Sequence, residues 1–142
     1  MESLPENRPP PSLEDWLAEK RERLPKRLTP EEAVAEIALG AKLIDTRTLE
    51  QKIADGQIPG AIEIDLNVLG WRCHPASPYR DQRITEDYAQ RLILLCNQGF
   101  SSSIAAFHLQ ELGLVNATDV NGGYEAWVNA GYPWMPYQES QQ

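Results

Sequence analysis

Residues 92–103 read Leu-Ile-Leu-Leu-Cys-Asn-Gln-Gly-Phe-Ser-Ser-Ser, and this stretch decides the fold of the chain. Its four leading apolar residues predict a short strand that is buried on both faces, as in a parallel sheet. Cys96 stands at the end of that strand, and Gly99 lets the following loop turn so that successive backbone N–H groups point inward. Serines 101–103 then offer N-cap candidates for a helix. The order of these parts predicts a thiol that faces a ring of N–H donors.

The helix that follows the loop determines which chemistry the cysteine can perform. Apolar residues recur at helical spacing from Ile104 to Leu112, and Gly113 stands where a left-handed cap ends a helix. The first turn of a helix has unpaired N–H groups and about half a positive charge, which stabilise a facing thiolate. Such surroundings lower a cysteine pKa from about 8.5 to roughly 3.5–7.5, and the thiolate is the nucleophile. Cys96 is therefore a candidate nucleophile; the alternative for an isolated cysteine is a small buried hydrophobe.

Shorter apolar runs on either side of this stretch predict the rest of the sheet. Leu43–Ile44, residues 61–64 and residues 117–120 are interpreted as further strands, with the cysteine strand at the centre. Thr29-Pro30-Glu31-Glu32 predicts a helix start, because it has a threonine cap, a proline at the first helical position and a glutamate three residues after the cap. Alternating strands and helices predict an α/β fold, a small parallel β-sheet flanked by helices on both faces. Ligands of such sheets bind beyond the carboxyl ends of the strands, where the cysteine stands.

The chain is predicted to form one domain preceded by an extra helix. The predicted boundaries are 1–27 for an N-terminal tail and helix, 28–135 for the domain and 136–142 for a C-terminal tail. Met1 to Pro11 is polar and rich in proline and is expected to be loosely held, whereas Ser12 begins a helix with Asp15 at capping-box spacing. The basic end of this helix is interpreted as a solvated face, and the alternative is a docking surface for an acidic partner; it contains Lys20, Arg21, Arg23, Lys26 and Arg27.

Composition restricts the class of protein and its partners. The 142 residues suit one domain, no apolar run approaches the roughly 20 residues of a membrane span, and the N-terminus lacks an apolar signal region. A net charge of -8 argues against nucleic acid or an anionic membrane as a partner. Cys73 and Cys96, the two cysteines, do not make a disulfide framework, and a reducing cytoplasm suits a free reactive thiol.

Four segments follow one another in an informative order: Leu43–Arg47, Gly56–Ile62, Cys96–Ser101, and Asn121–Trp127 with Ala130–Pro133. Together they resemble the signatures of rhodanese-like sulfurtransferase domains, and the resemblance covers about residues 28–133. Gln57 departs from the family pattern, which has a histidine at that position. The length of the cysteine loop resembles that of the sulfurtransferases in the family rather than that of their phosphatase-like relatives, whose loop is longer.

The resemblance implies a sulfurtransferase in which the Cys96 thiolate takes a sulfur atom from a small sulfur-containing anion, thiosulfate, or from a persulfide. The enzyme would hold this sulfur as a persulfide until a thiol or a protein acceptor removes it, with no cofactor or metal. Because the loop has no lysine or arginine, a doubly charged donor would depend on N–H dipoles and on Arg72 or Arg80. The expected substrate-binding residues are Asn97, Gln98, Gly99, Phe100, Ser101, Ser102 and Arg72.

Other chemistries and roles remain as alternatives at this point. A zinc set of Cys73, His74, Cys96 and His108 lacks paired C-x-x-C spacing, and His108 lies two turns into the helix, away from a thiol at its start. Cys73 is also considered as a resolving thiol that would form a disulfide with Cys96.

A cysteine phosphatase needs an arginine near the end of the loop, where Ser102 stands. Asp45 and Arg47 are interpreted as structural support beside the site. The alternative from another class is a non-catalytic binding module in which Cys96 is idle or senses redox changes.

Overall fold

The computed structural model describes residues 9–139. At its centre is a parallel sheet of four strands. The strands are β1 (Lys42–Asp45), β2 (Ile62–Glu63), β3 (Leu92–Leu95) and β4 (Thr118–Asp119), in the order β2-β1-β3-β4. The cysteine strand β3 lies inside the sheet, between β1 and β4. The expectation of a loosely held Met1–Pro11 falls mostly outside the described residues, and so does the end of the predicted C-terminal tail.

Helices cover both faces of this sheet. They are α1 (Leu13–Arg21), α2 (Pro30–Ala38), α3 (Leu49–Asp55), α4 (Leu69–Cys73), α5 (Ser101–Glu111) and α6 (Gly123–Asn129), with a 3₁₀ turn at Leu66–Val68. Helices α1 and α4 pack against α5, and α2 packs against α6. The predicted α/β fold with a parallel sheet, helices on both faces and an extra N-terminal helix is confirmed. None of the helices described between residues 9 and 139 is long and apolar enough to cross a bilayer.

The apolar side chains of the sheet separate into two layers. Alternate residues of β3 point to opposite faces. Leu92 and Leu94 join a cluster that contains Leu109 of α5, whereas Ile93 and Leu95 join a cluster that contains Trp127 of α6. This burial on both faces explains why residues 92–95 are uniformly apolar rather than alternating with polar residues.

The helix starts at Ser12 and Thr29 lie where the sequence predicts them, but only Thr29 forms a complete capping box. The Ser12 hydroxyl accepts a hydrogen bond from the Asp15 N–H at 3.0 Å, and Thr29 and Glu32 complete a capping box. Helix α3 was not predicted, although Thr48 begins it with a capping box as well. Helix α4 was not predicted either, because its five residues are too few to show a helical period.

The segment before the domain is attached to the edge of the sheet. Leu28 forms a parallel bridge with Val120 just beyond β4: its N–H donates to the Asp119 carbonyl at 3.0 Å, and its carbonyl accepts from the Asn121 N–H at 2.7 Å. This bridge and the packing of α1 on α5 fix the path of residues 21–27. The basic end of α1 therefore lies close to the start of α5.

Candidate active site

Cys96 follows the last residue of β3 and lies against the first turn of α5. Its sulfur accepts hydrogen bonds from the backbone N–H of Gly99 at 3.1 Å and of Ser102 at 3.3 Å, and the Ser102 hydroxyl lies 3.2 Å from it. Only 6% of the residue is exposed. The sulfur therefore stands in a cradle of donors at the carboxyl end of the sheet, as the sequence predicted for this position.

The start of α5 differs in one respect from the prediction. Serines 101–103 were expected to supply the cap, but they form the first turn of the helix, and Phe100 precedes it without a side-chain cap. The Ser102 N–H, one of the unpaired donors of this first turn, is instead bound by the sulfur of Cys96. The thiol takes the place that a capping oxygen usually has.

The pKa of Cys96 reflects two opposing influences. Burial raises the pKa of this thiol, whereas hydrogen bonds from the Ser102 and Ser101 hydroxyls and from the Ser102 and Gly99 N–H groups lower it. The lowering contributions dominate, so the pKa lies below that of an ordinary cysteine. The lowered pKa increases the fraction of Cys96 that is thiolate, which is the nucleophilic form.

Residues 97–102, hereafter the cysteine loop, are held from behind by the start of α6. The Tyr124 N–H donates to the Cys96 carbonyl at 2.8 Å, and the Glu125 N–H donates to the Asn97 carbonyl at 3.1 Å. Gly123 has a φ of +62°, and a Cβ built on it would lie 2.4 Å from the Cys96 carbonyl oxygen. The contact thus requires glycine, and the two carbonyls are held on the side of α6.

A cavity of about 620 Å³ opens in front of the sulfur; we call it the Cys96 pocket. Three parts of the chain line it: the cysteine with its loop, the segment from the end of β1 into α3, and the segment from β2 into the 3₁₀ turn. The lining residues are Cys96, Asn97, Gln98, Phe100 and Ser101; Thr46, Arg47, Thr48, Leu49, Gln51 and Lys52; and Glu63, Asp65, Leu66 and Asn67. The structure brings together the loop residues singled out from the sequence, because Gly99 and Ser102 contact the sulfur itself. The volume is in the range of small-molecule sites.

Arg72 was expected to attract an anionic donor to this pocket, and that expectation is wrong. Its guanidinium donates to the Tyr79 carbonyl at 2.9 Å and to Asp81 at 3.3 Å, and Arg72 is not part of the pocket lining. Arg80 is likewise held by backbone carbonyls of its own segment. Arg72 in α4 and Arg80 in the connection between α4 and β3 therefore both bind groups of that connection rather than reach Cys96.

Two cations that the sequence analysis did not assign to substrate line the Cys96 pocket instead. Arg47 and Lys52 contribute to its wall, and Lys52 is paired with Glu63. The Nη1 of Arg47 is buried and has no hydrogen-bond partner among the described residues. The Arg47 side chain has no exposure to solvent, so its charge reaches the cavity through the wall rather than by direct contact.

The rest of the Arg47 side chain supports the structure, as was expected of it and of Asp45. The guanidinium binds both carboxylate oxygens of Asp45 and donates to the Gly56 carbonyl at 2.9 Å. It also lies 3.7 Å from the centre of the Tyr124 ring. Because both charged side chains are fully buried, each depends on the other for compensation.

Three charged residues that contact the site were not assigned to it from the sequence. The Ser102 hydroxyl donates to Asp119 at 2.7 Å, Arg27 binds both carboxylate oxygens of Asp119, and Arg27 and Arg21 both donate to the Gly99 carbonyl. The interpretation of these arginines as a solvated face is therefore wrong. The absence of any cation in the loop was the one signal in the sequence that could have prompted a search for charges elsewhere.

The other candidate ligands and thiols stand apart from Cys96. Cys73 is buried in the core, and burial together with Asp81 raises its pKa to about 12. His74 accepts a hydrogen bond from its own turn through Nδ1, and neither His74 nor His108 lines the Cys96 pocket. Among residues 9–139, no group of three or more such side chains could hold a metal ion. The structure does not assemble the zinc set or the cysteine–histidine pair considered from the sequence.

We expect the replacement of Cys73 by alanine to leave the chemistry of Cys96 unchanged. The substitution removes a buried sulfur from the core, so the free energy of unfolding should fall by about 1 kcal/mol. Urea denaturation measures this fall, and intact mass after incubation with a sulfur donor measures the chemistry. If Cys73→Ala takes up sulfur but no longer releases it, the result would contradict this expectation and support Cys73 as a resolving thiol.

An apolar groove adjoins the Cys96 pocket on the side of α1. It has a volume of about 640 Å³ and lies between α1, the 3₁₀ turn, α4 and α5. Leu66, Asn67, Phe100 and Ser101 line both cavities. The side chain of Phe100, 60% exposed, therefore borders both the sulfur site and an apolar surface.

Comparison with known sequences places the chain in a family. The rhodanese-like domain family matches residues 29–130. Thiosulfate sulfurtransferase GlpE from Pseudomonas entomophila (strain L48) is 32% identical over 108 residues, which cover 76% of this chain and 88% of the relative. GlpE from Stutzerimonas stutzeri (strain A1501) is 31% identical over 117 residues, which cover 82% of this chain and 96% of the relative.

A solved structure from Rhodopseudomonas palustris CGA009 is similar over a longer part of the chain. It belongs to a protein of unknown function described as a possible tyrosine phosphatase, with a TM-score of 0.77 and 27% identity. The match covers 94% of this chain and 100% of that one. A match of this extent includes residues that precede the 29–130 region, so the similarity is not confined to the shared domain.

Proposed function

This chain belongs to the rhodanese-like domain family, and we propose that it is a sulfurtransferase that carries sulfur on Cys96 as a persulfide. The observation that supports this most directly is the sulfur of Cys96 within 3.3 Å of two backbone N–H donors at an open pocket. The relatives named thiosulfate sulfurtransferase support the reaction class. A cytoplasmic setting belongs to the proposal, because a reducing compartment keeps such a thiol free.

The proposed reaction has two displacement steps. The Cys96 thiolate attacks the outer sulfur of thiosulfate; a sulfur–sulfur bond forms to Cys96, and the bond to the inner sulfur breaks as sulfite leaves with the electron pair. A thiolate or cyanide then attacks the outer sulfur, and Cys96 leaves as the thiolate. In the first step the N–H groups of Gly99 and Ser102 stabilise the attacking thiolate, and negative charge leaves with sulfite. In the second step negative charge develops again on the Cys96 sulfur, where the same N–H groups are placed to stabilise it.

The pocket also suits an anionic donor. Arg47 and Lys52 contribute positive charge to its wall, although Asp45 offsets the charge of Arg47 and Glu63 that of Lys52. Donors with one charge, such as alkyl persulfides, need less compensation than thiosulfate. We therefore propose that persulfides and thiosulfate share this pocket, with the acceptor a thiol, either small or on a protein.

Phosphate-ester hydrolysis is the alternative raised by the similarity to the Rhodopseudomonas palustris structure. A cysteine phosphatase clamps phosphate with an arginine at the end of its loop. Ser102 has that position here, and the two arginines that contact the cysteine loop bind the outward carbonyl of Gly99. The arrangement lacks the clamp, and the loop is better suited to a single sulfur atom than to a phosphate group.

Intact-mass measurement tests the proposed function. The protein is incubated with thiosulfate or with a small persulfide, and we expect a mass increase of one sulfur atom that cyanide then removes. Hydrolysis of p-nitrophenyl phosphate is measured in parallel and is expected to be absent. If the protein takes up sulfur from neither donor, the proposal is contradicted. If it hydrolyses the phosphate ester and this activity requires Cys96, the phosphatase alternative is supported instead.

A further inference from the structure

The cysteine loop receives its positive charge from outside the family domain. No residue from 97 to 102 is basic, whereas Arg21 and Arg27, which precede the matched region 29–130, both bind the loop. We propose that Arg27, assisted by Arg21, is a positioning residue for Cys96: it fixes the Gly99 carbonyl and neutralises Asp119 behind Ser102. This inference rests on the proposed function, because it concerns the ionisation of the same thiol.

The contacts with Gly99 fix the loop from two sides. The Gly99 carbonyl accepts hydrogen bonds from the Nη2 of Arg27 at 2.7 Å and from the Nη2 of Arg21 at 3.0 Å, while the Gly99 N–H donates to the Cys96 sulfur at 3.1 Å. Gly99 has a φ of +90°, a conformation that glycine adopts without strain. Because glycine is also free to adopt many other conformations, contacts from outside the loop are needed to hold this one. The arginines thus hold one of the two N–H donors of the sulfur in place.

The contacts with Asp119 determine where the hydroxyl hydrogen of Ser102 points. The Ser102 hydroxyl lies 2.7 Å from Asp119 and 3.2 Å from the sulfur, and it has one hydrogen to donate. When it donates to the carboxylate, it can only accept a hydrogen bond from the protonated thiol. When the thiolate forms, the hydroxyl must turn toward the sulfur and release Asp119.

Arg27 allows this turn because it satisfies the carboxylate independently. Its Nε and Nη2 donate to the two oxygens of Asp119 at 2.8 and 3.0 Å, and Asp119 is completely buried. Without Arg27, a buried, uncompensated carboxylate would keep the Ser102 hydrogen and would repel a negative sulfur. A chain of contacts therefore runs from Arg27 through Asp119 and Ser102 to Cys96.

The attachment of Arg27 to the sheet makes the arrangement rigid. Leu28, its neighbour, forms the bridge with Val120, and only 17% of the Arg27 side chain is exposed. Arg21 also donates to the Ser103 hydroxyl at 3.0 Å. The remaining charged groups around the sulfur have partners other than Arg27: Arg47 pairs with Asp45, Lys52 pairs with Glu63, and Asp65 accepts a hydrogen bond from the Asn67 N–H.

The test measures how the alkylation rate of Cys96 depends on pH, with sites identified by mass. The variants are Arg27→Met, Arg27→Lys, Asp119→Asn and the double variant Arg27→Met/Asp119→Asn. Arg23→Met is the matched control, since Arg23 lies over the Phe107 ring rather than on the loop. We expect Arg27→Met to raise the midpoint of this pH dependence by about one pH unit and to slow alkylation at neutral pH about tenfold. The reason is that the Asp119 carboxylate, left without Arg27, disfavours the thiolate.

The other variants separate positioning from a structural role. Asp119→Asn alone is expected to lower the midpoint below that of the wild type, the double variant to return it toward the wild-type value, and Arg27→Lys to restore part of the shift. Asp119→Asn and the double variant keep the test decisive if Arg27→Met does not fold. A midpoint unchanged in every folded variant, or shifted equally by Arg23→Met, overturns the inference.

Alkylation does not require sulfur transfer, so the two proposals can fail separately. If wild-type protein takes up no sulfur but the midpoint shifts as described, the proposed function fails and the positioning role stands. If sulfur uptake occurs but the Arg27 and Asp119 variants leave the midpoint unchanged, the positioning role fails and the proposed function stands.

Discussion

Replacement of Cys96 by serine is expected to abolish sulfur uptake and to reduce sulfur transfer at least about a thousandfold, because it removes the nucleophile itself. A serine hydroxyl retains nearly the shape of the thiol and the neighbouring donors at Gly99 and Ser102. It is neutral at working pH, however, and forms no persulfide. Thiocyanate formation from thiosulfate and cyanide measures the rate, and intact mass measures the uptake.

The two cysteines provide the control for this prediction. Cys73→Ala retains Cys96 and should transfer sulfur at the wild-type rate, since Cys73 is buried in the core. Circular dichroism verifies that both variants are folded. Residual transfer by Cys96→Ser above about one part in a hundred of the wild-type rate would mean that another group carries the sulfur, and the assignment of Cys96 would then be wrong.

Replacement of Arg47 by methionine is expected to cost about 3–5 kcal/mol of unfolding free energy, because it leaves the buried Asp45 carboxylate without its partner. The substitution also removes the donor to the Gly56 carbonyl and the contact with the Tyr124 ring. Urea denaturation near neutral pH measures the difference. A loss of this size would leave a domain of ordinary stability only marginally folded.

The chain contains a matched control for this pair. Asp81 and Arg83 have the same spacing and the same contacts as Asp45 and Arg47, with the backbone N–H and Nε of the arginine on one carboxylate oxygen. Half of the Arg83 side chain is exposed, and Arg72 still binds Asp81 after Arg83→Met, so the cost should stay under about 1 kcal/mol. Equal losses in the two variants would contradict a specific role for burial of the first pair.

The fold could be predicted where local chemistry determines it. Uniform apolarity of residues 92–95 reveals a strand buried on both faces, and the caps at Ser12 and Thr29 mark helix starts that the structure confirms. Helix α3 escaped prediction because it leaves Leu49 and Ile53 exposed and therefore shows no clear apolar period. Such helices are stabilised by their caps and by tertiary packing, which a periodicity search does not detect.

The candidate site could be predicted only as far as it is local. The donors at Gly99 and Ser102 lie three and six residues from Cys96, so the loop itself reveals them. Asp119 and Arg27 are 92 residues apart, and no pattern in the sequence pairs them. Arg72 was assigned to the pocket because the loop has no cation of its own, but Asp81, nine residues away, binds it. Charge partners depend on side-chain directions that only the folded backbone determines.

The bridge between Leu28 and Val120 matters for anyone who dissects this chain. An expression boundary drawn at residue 29, where the family match begins, would cut away α1 together with Arg21 and Arg27. The trimmed fragment would expose the edge of β4 and leave Asp119 as an unbalanced interior anion. If such a fragment were inactive in an assay, the loss of the N-terminal residues would explain the result. The inactivity would not show that Cys96 is unreactive in the full chain.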